Sequence, residues 1–146
     1  MATLVRKQPV PVEARVTRMP LEANFVEIMD LQCLDRRLQL MTARSRAIRR
    51  HDIHELMITD ELDARPGDVV EAVEYIGFVE FPAGGMLVYG DAVVIGGREV
   101  GVIAGFDECH FPNHYNVVVK GPKRVTGFDL DQHPGDPVVF IPAARE

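Results

Sequence analysis

Two runs of strand-forming residues, 91–95 and 98–106, are separated only by Gly96-Gly97. A two-residue glycine loop accepts the positive φ angles of a tight turn whose twist matches that of the strands it joins. The pattern predicts a β-hairpin turning at Gly96-Gly97, with Val100, Val102, Ala104 and Phe106 on one face. Gly101 and Gly105 would share the other face, where missing side chains leave room for a cavity floor or for close approach of another segment.

Similar punctuation runs along much of the chain. Residues 54–59 read as a short strand and Arg65-Pro66-Gly67-Asp68 as a turn. A longer β segment follows over 69–81, with a bulge or bend expected at Gly77. Short strands are expected at 86–89, 115–120 and 137–141, bounded by Gly84-Gly85, Gly90-Asp91, Gly121-Pro122 and His133-Pro134-Gly135-Asp136. Residues 10–19 place Val10, Val12, Ala14 and Val16 on one side of an extended chain, with Pro11 marking an edge or a strand start. About eight short strands with frequent turns favour a small antiparallel β-barrel or sandwich over a parallel α/β sheet.

One segment has a different period. Leu31, Leu34, Leu38, Met41, Ser45 and Ile48 recur at spacings of three and four, which predicts an amphipathic helix over about 30–50. Asp30 would cap it, and Arg49, Arg50 and His51 would complement the dipole in its last turn. The expected fold is thus mainly β with one helix in the N-terminal third. At 146 residues the chain has the size of one domain, with 1–8 as a tail and 54–142 as the β-rich part.

Cys33 and Cys109 lie far apart and form no metal-finger spacing, so a reducing, cytoplasmic setting is expected. The first residues carry Arg6, Lys7, Pro9 and Pro11 instead of an apolar leader, and no apolar run approaches a membrane span. Residues 1–50 hold ten Lys/Arg against five Asp/Glu, and the remainder six against seventeen. That asymmetry favours self-association of protomers or capture of an anionic ligand. The acidic whole, with no interleaved basic and aromatic residues, argues against nucleic acid.

Residues 107–116, Asp-Glu-Cys-His-Phe-Pro-Asn-His-Tyr-Asn, concentrate reactive side chains in a loop between two strands. His110 and His114 are the candidate proton-transfer groups, since imidazoles titrate near neutrality. Asn113 or Asn116 could polarise a carbonyl, while Asp107 or Glu108 could orient an imidazole. Arg49, Arg50, His51 and Tyr115 are candidate ligand contacts, an arginine suiting a carboxylate or phosphate. The His110-x-x-x-His114 spacing also occurs in zinc sites, and His51 and His54 could complete a ligand set for a divalent metal. Pro112 argues against the helical presentation such a motif commonly has. Cys109 is the weaker candidate, because its side chain and that of His110 point apart in an extended segment.

Residues 77–81, Gly-Phe-Val-Glu-Phe, and 105–116 resemble segments of a family of small bacterial proteins of unknown function, a similarity extending over most of the chain. No reaction or cofactor comes with the resemblance, which implies only a setting in specialised biosynthesis. The leading expectation is a small β-barrel enzyme using His-based acid–base chemistry on a small organic substrate, of isomerase, cyclase or lyase type. A non-catalytic ligand-binding or assembly module and a His-ligated metal enzyme are the alternatives, and no cofactor is required by the sequence.

Overall fold

The computed structural model describes residues 17–143. Among them lie eleven strands and no helix: β1 (Leu21–Cys33), β2 (Leu38–Gln39), β3 (Ser45–Ile48), β4 (Ile53–Thr59), β5 (Val69–Val70), β6 (Val73–Glu80), β7 (Gly85–Val88), β8 (Ala92–Ile95), β9 (Arg98–Asp107), β10 (Asn116–Lys120) and β11 (Pro137–Ile141). Gly96 and Gly97 have φ values of 61° and 78° and turn the β8–β9 hairpin as expected. Seven strands close a barrel in the order β1, β11, β8, β9, β10, β4, β6. The sandwich alternative is thereby set aside.

Neighbours in the barrel run antiparallel except β10 and β4, which are parallel and pair Asn116 with Glu55 through Lys120 with Thr59. Parallel neighbours need a long crossover, and here β5 to β9 supply it. Closure leaves the main sheet without a free edge. The strands β2 with β5, and β3 with β7, form separate two-stranded ribbons.

Alternation along the strands builds two apolar clusters on opposite faces of the barrel wall. Leu56 and Ile58 of β4, Val117 and Val119 of β10, and Ile103 and Phe106 of β9 join Phe25, Phe81 and Phe140 in the larger one. The intervening Met57, Val118 and Ala104 pack with Leu38, Leu40, Val70 and Val73 in the smaller. On β4 this alternation puts Glu55 on the Met57 face and His54 on the Leu56 face.

The expected helix over 30–50 is absent. β1 continues to Cys33 because β6 offers it partners, with Leu31 opposite Tyr75, Gln32 opposite Glu74 and Cys33 opposite Val73. Leu38-Gln39 then pairs with β5, and Ser45 to Ile48 with β7. Leu31 and Leu34 are 57% and 58% exposed, so the three-four spacing corresponds to no buried face. Helix propensity is a weak preference, and pairing with distant strands outweighs it here. Asp30 caps nothing and instead accepts a hydrogen bond from Thr126 Oγ1 at 2.9 Å. Arg49, Arg50 and His51 lie in the turn between β3 and β4.

Of the strand expected over 10–19, residues 10–16 lie outside the described residues, as does the 1–8 tail; residues 17–19 are not in a strand. The single face proposed for Val100, Val102, Ala104 and Phe106 is also broken. Val118 pairs with Gly105 but Val119 with Ile103, a bulge that turns Ala104 away and brings Ile103 to the side of Phe106. Gly101 and Gly105 serve close packing: a Cβ at 101 would overlap the Lys120 carbonyl, and one at 105 would press on Leu40.

The irregularity foreseen at Gly77 is present, where the β4–β6 register shifts between Leu56 and Met57. A Cβ at position 77 would overlap the Glu27 carbonyl oxygen, so β1 and β6 approach as closely as they do only with glycine there. Gly77→Ala is expected to cost roughly 1–3 kcal/mol, the scale of an overpacked interior. Thermal unfolding tests it, and an unchanged melting temperature would show that β1 yields without loss. No helix among the described residues is long and apolar enough to cross a membrane.

Candidate functional site

The parallel pairing of β10 with β4 brings the start of β10, and the loop before it, beside Glu55. That loop is folded by short-range turns, with Phe111 N donating to Glu108 O at 2.9 Å and Asn113 N to His110 O at 2.8 Å. It lays His114 over Glu55, with Nε2 and Oε1 3.2 Å apart and both residues buried. Phe78 meets the His114 ring edge-on at 4.8 Å, and the His110 ring lies 5.0 Å away. Asn113 Nδ2 donates to His114 Nδ1 at 2.8 Å, which assigns the proton of a neutral ring to Nε2, facing the carboxylate. Turning the Asn113 amide over reverses that tautomer.

Burial pushes the Glu55 carboxyl up to about 7, with His110 and Arg36 opposing the rise. Burial lowers the His114 imidazole from its ordinary value. The two shifts run in opposite directions, the carboxyl up and the imidazole down. The carboxyl and the imidazole are in contact, and burial disfavours the charged form of each.

A cleft of about 510 Å³ opens beside His114, between the β3–β4 turn and the loop, lined among others by Arg46, His54, Phe111 and Tyr115. The Arg46 guanidinium carbon lies 3.5 Å above the Tyr115 ring, and the His54 ring meets the same tyrosine edge-on at 5.6 Å. His54 Nδ1 accepts the Tyr115 N–H at 3.1 Å. Its Nε2 has no hydrogen-bond partner, nor has Arg46 Nε, and both atoms are buried. Asp52 Oδ2 lies 3.5 Å from His54 Nε2 without completing a hydrogen bond. Each buried donor left so costs about 1–3 kcal/mol. Burial lowers the His54 pKa, with Asp52 opposing.

The expected site residues therefore divide. His114 and Asn113 border the cleft together with Arg49, His51 and Tyr115 from the ligand set; Arg50 is exposed and does not line it. His110 does not line the cleft, and its ring nitrogen comes within 4.8 Å of ligand atoms of Glu55 and His114. Asp107 orients no imidazole: it accepts from Asn116 Nδ2 at 2.8 Å and from the Cys109 N–H at 3.1 Å. Asn116 is thus committed through its amide nitrogen, while its buried Oδ1 has no partner. Burial raises the Cys109 thiol pKa, although Arg36 sits 3.3 Å from the sulfur, which disfavours a nucleophilic thiolate.

The four-histidine metal set does not assemble. His51 Nδ1 lies 3.2 Å from Glu80, and His54 is held by Tyr115. Instead Glu55, His110 and His114 each offer one ligand atom within 4.8 Å of the others. Glu55 is the residue that sequence reasoning missed. Its signal was there to read: it is the lone carboxylate in a strand, Ile53 to Thr59, whose other residues after Ile53 are all buried too. Arg46 was one arginine among several, and only the fold singles it out.

A family model of unknown function, DUF6917, matches residues 15–141, and the chain belongs to that family. No curated protein and no solved structure matches it.

Proposed function

We propose that this member of a family with no assigned activity is an enzyme that moves a proton on a small organic molecule held in the cleft, with His114 as acid–base and Glu55 as its proton partner. The observation that carries the reading is the position of His114, buried between the cleft and a carboxyl 3.2 Å from its Nε2. Asn113 is exposed, so its side chain turns away from Nδ1 without disturbing the core. His114 Nδ1 then takes a proton from the substrate, while the Nε2 proton passes to Glu55. The reverse transfer returns a proton to the substrate at the same or another atom. Isomerisation, elimination and cyclisation all use such a pair of steps.

Deuterium incorporation tests this even while the substrate is unidentified. The protein is incubated in D₂O with a mixture of small organic metabolites, and mass spectrometry finds compounds that gain deuterium. His114→Ala is expected to slow such exchange by about 100-fold or more, the usual worth of a positioned acid–base group. Exchange that is equal in the variant, or absent with the wild type, overturns the reading.

A second reading is favoured by the convergence of Glu55, His110 and His114. Two imidazoles and a carboxylate within 4.8 Å suit a divalent transition ion. In that case Asn113 Oδ1 would accept from Nδ1–H and leave Nε2 free to ligate, a common outer-shell arrangement. Elemental analysis separates the two readings. One equivalent of metal surviving dialysis, lost in His110→Ala, supports the ion and removes Glu55 as a proton acceptor.

A further inference from the structure

The cleft has a charge and a polarity that narrow its occupant. Arg46 and Arg49 bring positive charge to its lining, against one acid, Asp52, and His51, His54 and His114 add imidazoles. Asp52 is itself engaged, accepting the Arg49 N–H at 2.8 Å. His51 is paired with Glu80. Two donors remain without a completed hydrogen bond, Arg46 Nε and His54 Nε2, the latter with Asp52 Oδ2 3.5 Å away. The assignment of His54 is fixed by its other nitrogen: Nδ1 accepts the Tyr115 N–H, so the proton of the neutral ring is on Nε2.

Both donors belong to side chains packed on the same ring, Tyr115. A guanidinium stacked face-on keeps its hydrogen-bonding edges free in its own plane, the geometry in which arginine grips a planar carboxylate. Buried polar atoms without completed hydrogen bonds are rare in folded proteins, and two beside one cleft, both closed to water, point to an acceptor from outside that their side chains turn to meet. Apart from Asn113 and the Tyr115 ring, the rest of the lining is apolar: Ala47, Ile53, Phe111 and Pro112. Phosphate, which needs donors around three or more oxygens, fits two donors and an apolar wall poorly.

We propose that the cleft takes a small organic carboxylate, its oxygens received by Arg46 and His54 and its apolar body lying against Ile53, Phe111 and Pro112. This deepens the functional reading above by naming the substrate class, and it rests on the cleft being the substrate site. The carboxylate anchors the molecule, and the atom that exchanges its proton lies toward His114 on the same wall.

Amide spectra of the ¹⁵N-labelled full chain test it, with benzoate, its neutral isostere benzamide, and inorganic phosphate as probes. Benzoate is expected to shift the Tyr115 and His54 amides saturably, and benzamide to bind about tenfold more weakly or worse. Arg46→Gln should weaken benzoate by about tenfold or more, while Arg50→Gln, outside the cleft, leaves it unchanged. Should Arg46→Gln lose its dispersed spectrum, Arg46→Lys keeps the charge but not the fork and is expected to bind with intermediate affinity. Equal binding of benzamide, unchanged affinity in a folded Arg46→Gln or Arg46→Lys variant, or preference for phosphate overturns the proposal. These outcomes are read without turnover. Loss of the carboxylate site is therefore distinguishable from failure of the His114 relay, which the deuterium exchange reports.

Discussion

Glu55→Gln is expected to be stabilised relative to the wild type by on the order of 3 kcal/mol more at pH 7.5 than at pH 4, as measured by denaturant unfolding across that range. Burial raises the Glu55 carboxyl from 4.5 to about 7 in the folded chain. The unfolded chain therefore releases this proton first as pH rises. The stability that Glu55 contributes is fully present below about 4.5 and is lost by the time the pH passes about 7. Glutamine keeps an oxygen to accept from His114 Nε2–H but carries no titrating proton, so the difference between the two proteins isolates this effect.

Two other groups act in the opposite sense in both proteins. His54 and His114 bind a proton less readily in the folded than in the unfolded chain, so their contribution is present above the unfolded histidine value of 6.5 and is lost as pH falls from there through the lowered folded values. The wild type is thus squeezed from both sides, and Glu55→Gln should relieve only the alkaline side. A difference that stays flat from pH 4 to 7.5 would mean that Glu55 titrates like a surface carboxylate. The shared-proton pair with His114 would then have no basis.

Ile103→Ala is expected to cost about 2–5 kcal/mol, the range for removing a fully buried aliphatic side chain. This is the sharpest test of the β9 bulge. With unbroken alternation from Val100 through Phe106, Ile103 would belong to the face opposite Phe106, on the glycine side of the strand. The register shift between Val118 and Val119 brings it into the larger apolar cluster, fully buried beside Phe106. Urea unfolding measures the cost, and a value under about 1 kcal/mol would return Ile103 to a poorly packed face. Because β9 leads directly into Asp107 and the loop, the same bulge sets where that loop begins.

The turn chemistry was legible in the sequence because it is local. Gly96-Gly97 between two strand-forming runs has few solutions, and Arg65-Pro66-Gly67-Asp68 closes a turn through its own residues, Asp68 N donating to Arg65 O at 3.0 Å. The 107–116 loop was legible as a site for the same reason, since its composition exceeds what joining two strands requires. The helix expected over 30–50 failed because an apolar spacing of three and four is only a possibility of burial. Leu31, Leu38 and Ile48 meet different partners, β6, β5 and β7, that the spacing cannot name.

By itself, then, the sequence determined a chain of short strands, their turns, and the loop that carries His110, Asn113 and His114, because these follow from backbone freedom and side-chain type within a few residues. The tertiary structure alone decided that the strands close into a barrel with β4 and β10 parallel. It also decided that a carboxylate from residue 55 lies beneath an imidazole from residue 114, and that Arg46 and His54 meet at one tyrosine. Those pairings join residues tens of positions apart. They depend on which strands hydrogen-bond and where a bulge shifts their register, and only the whole fold settles that.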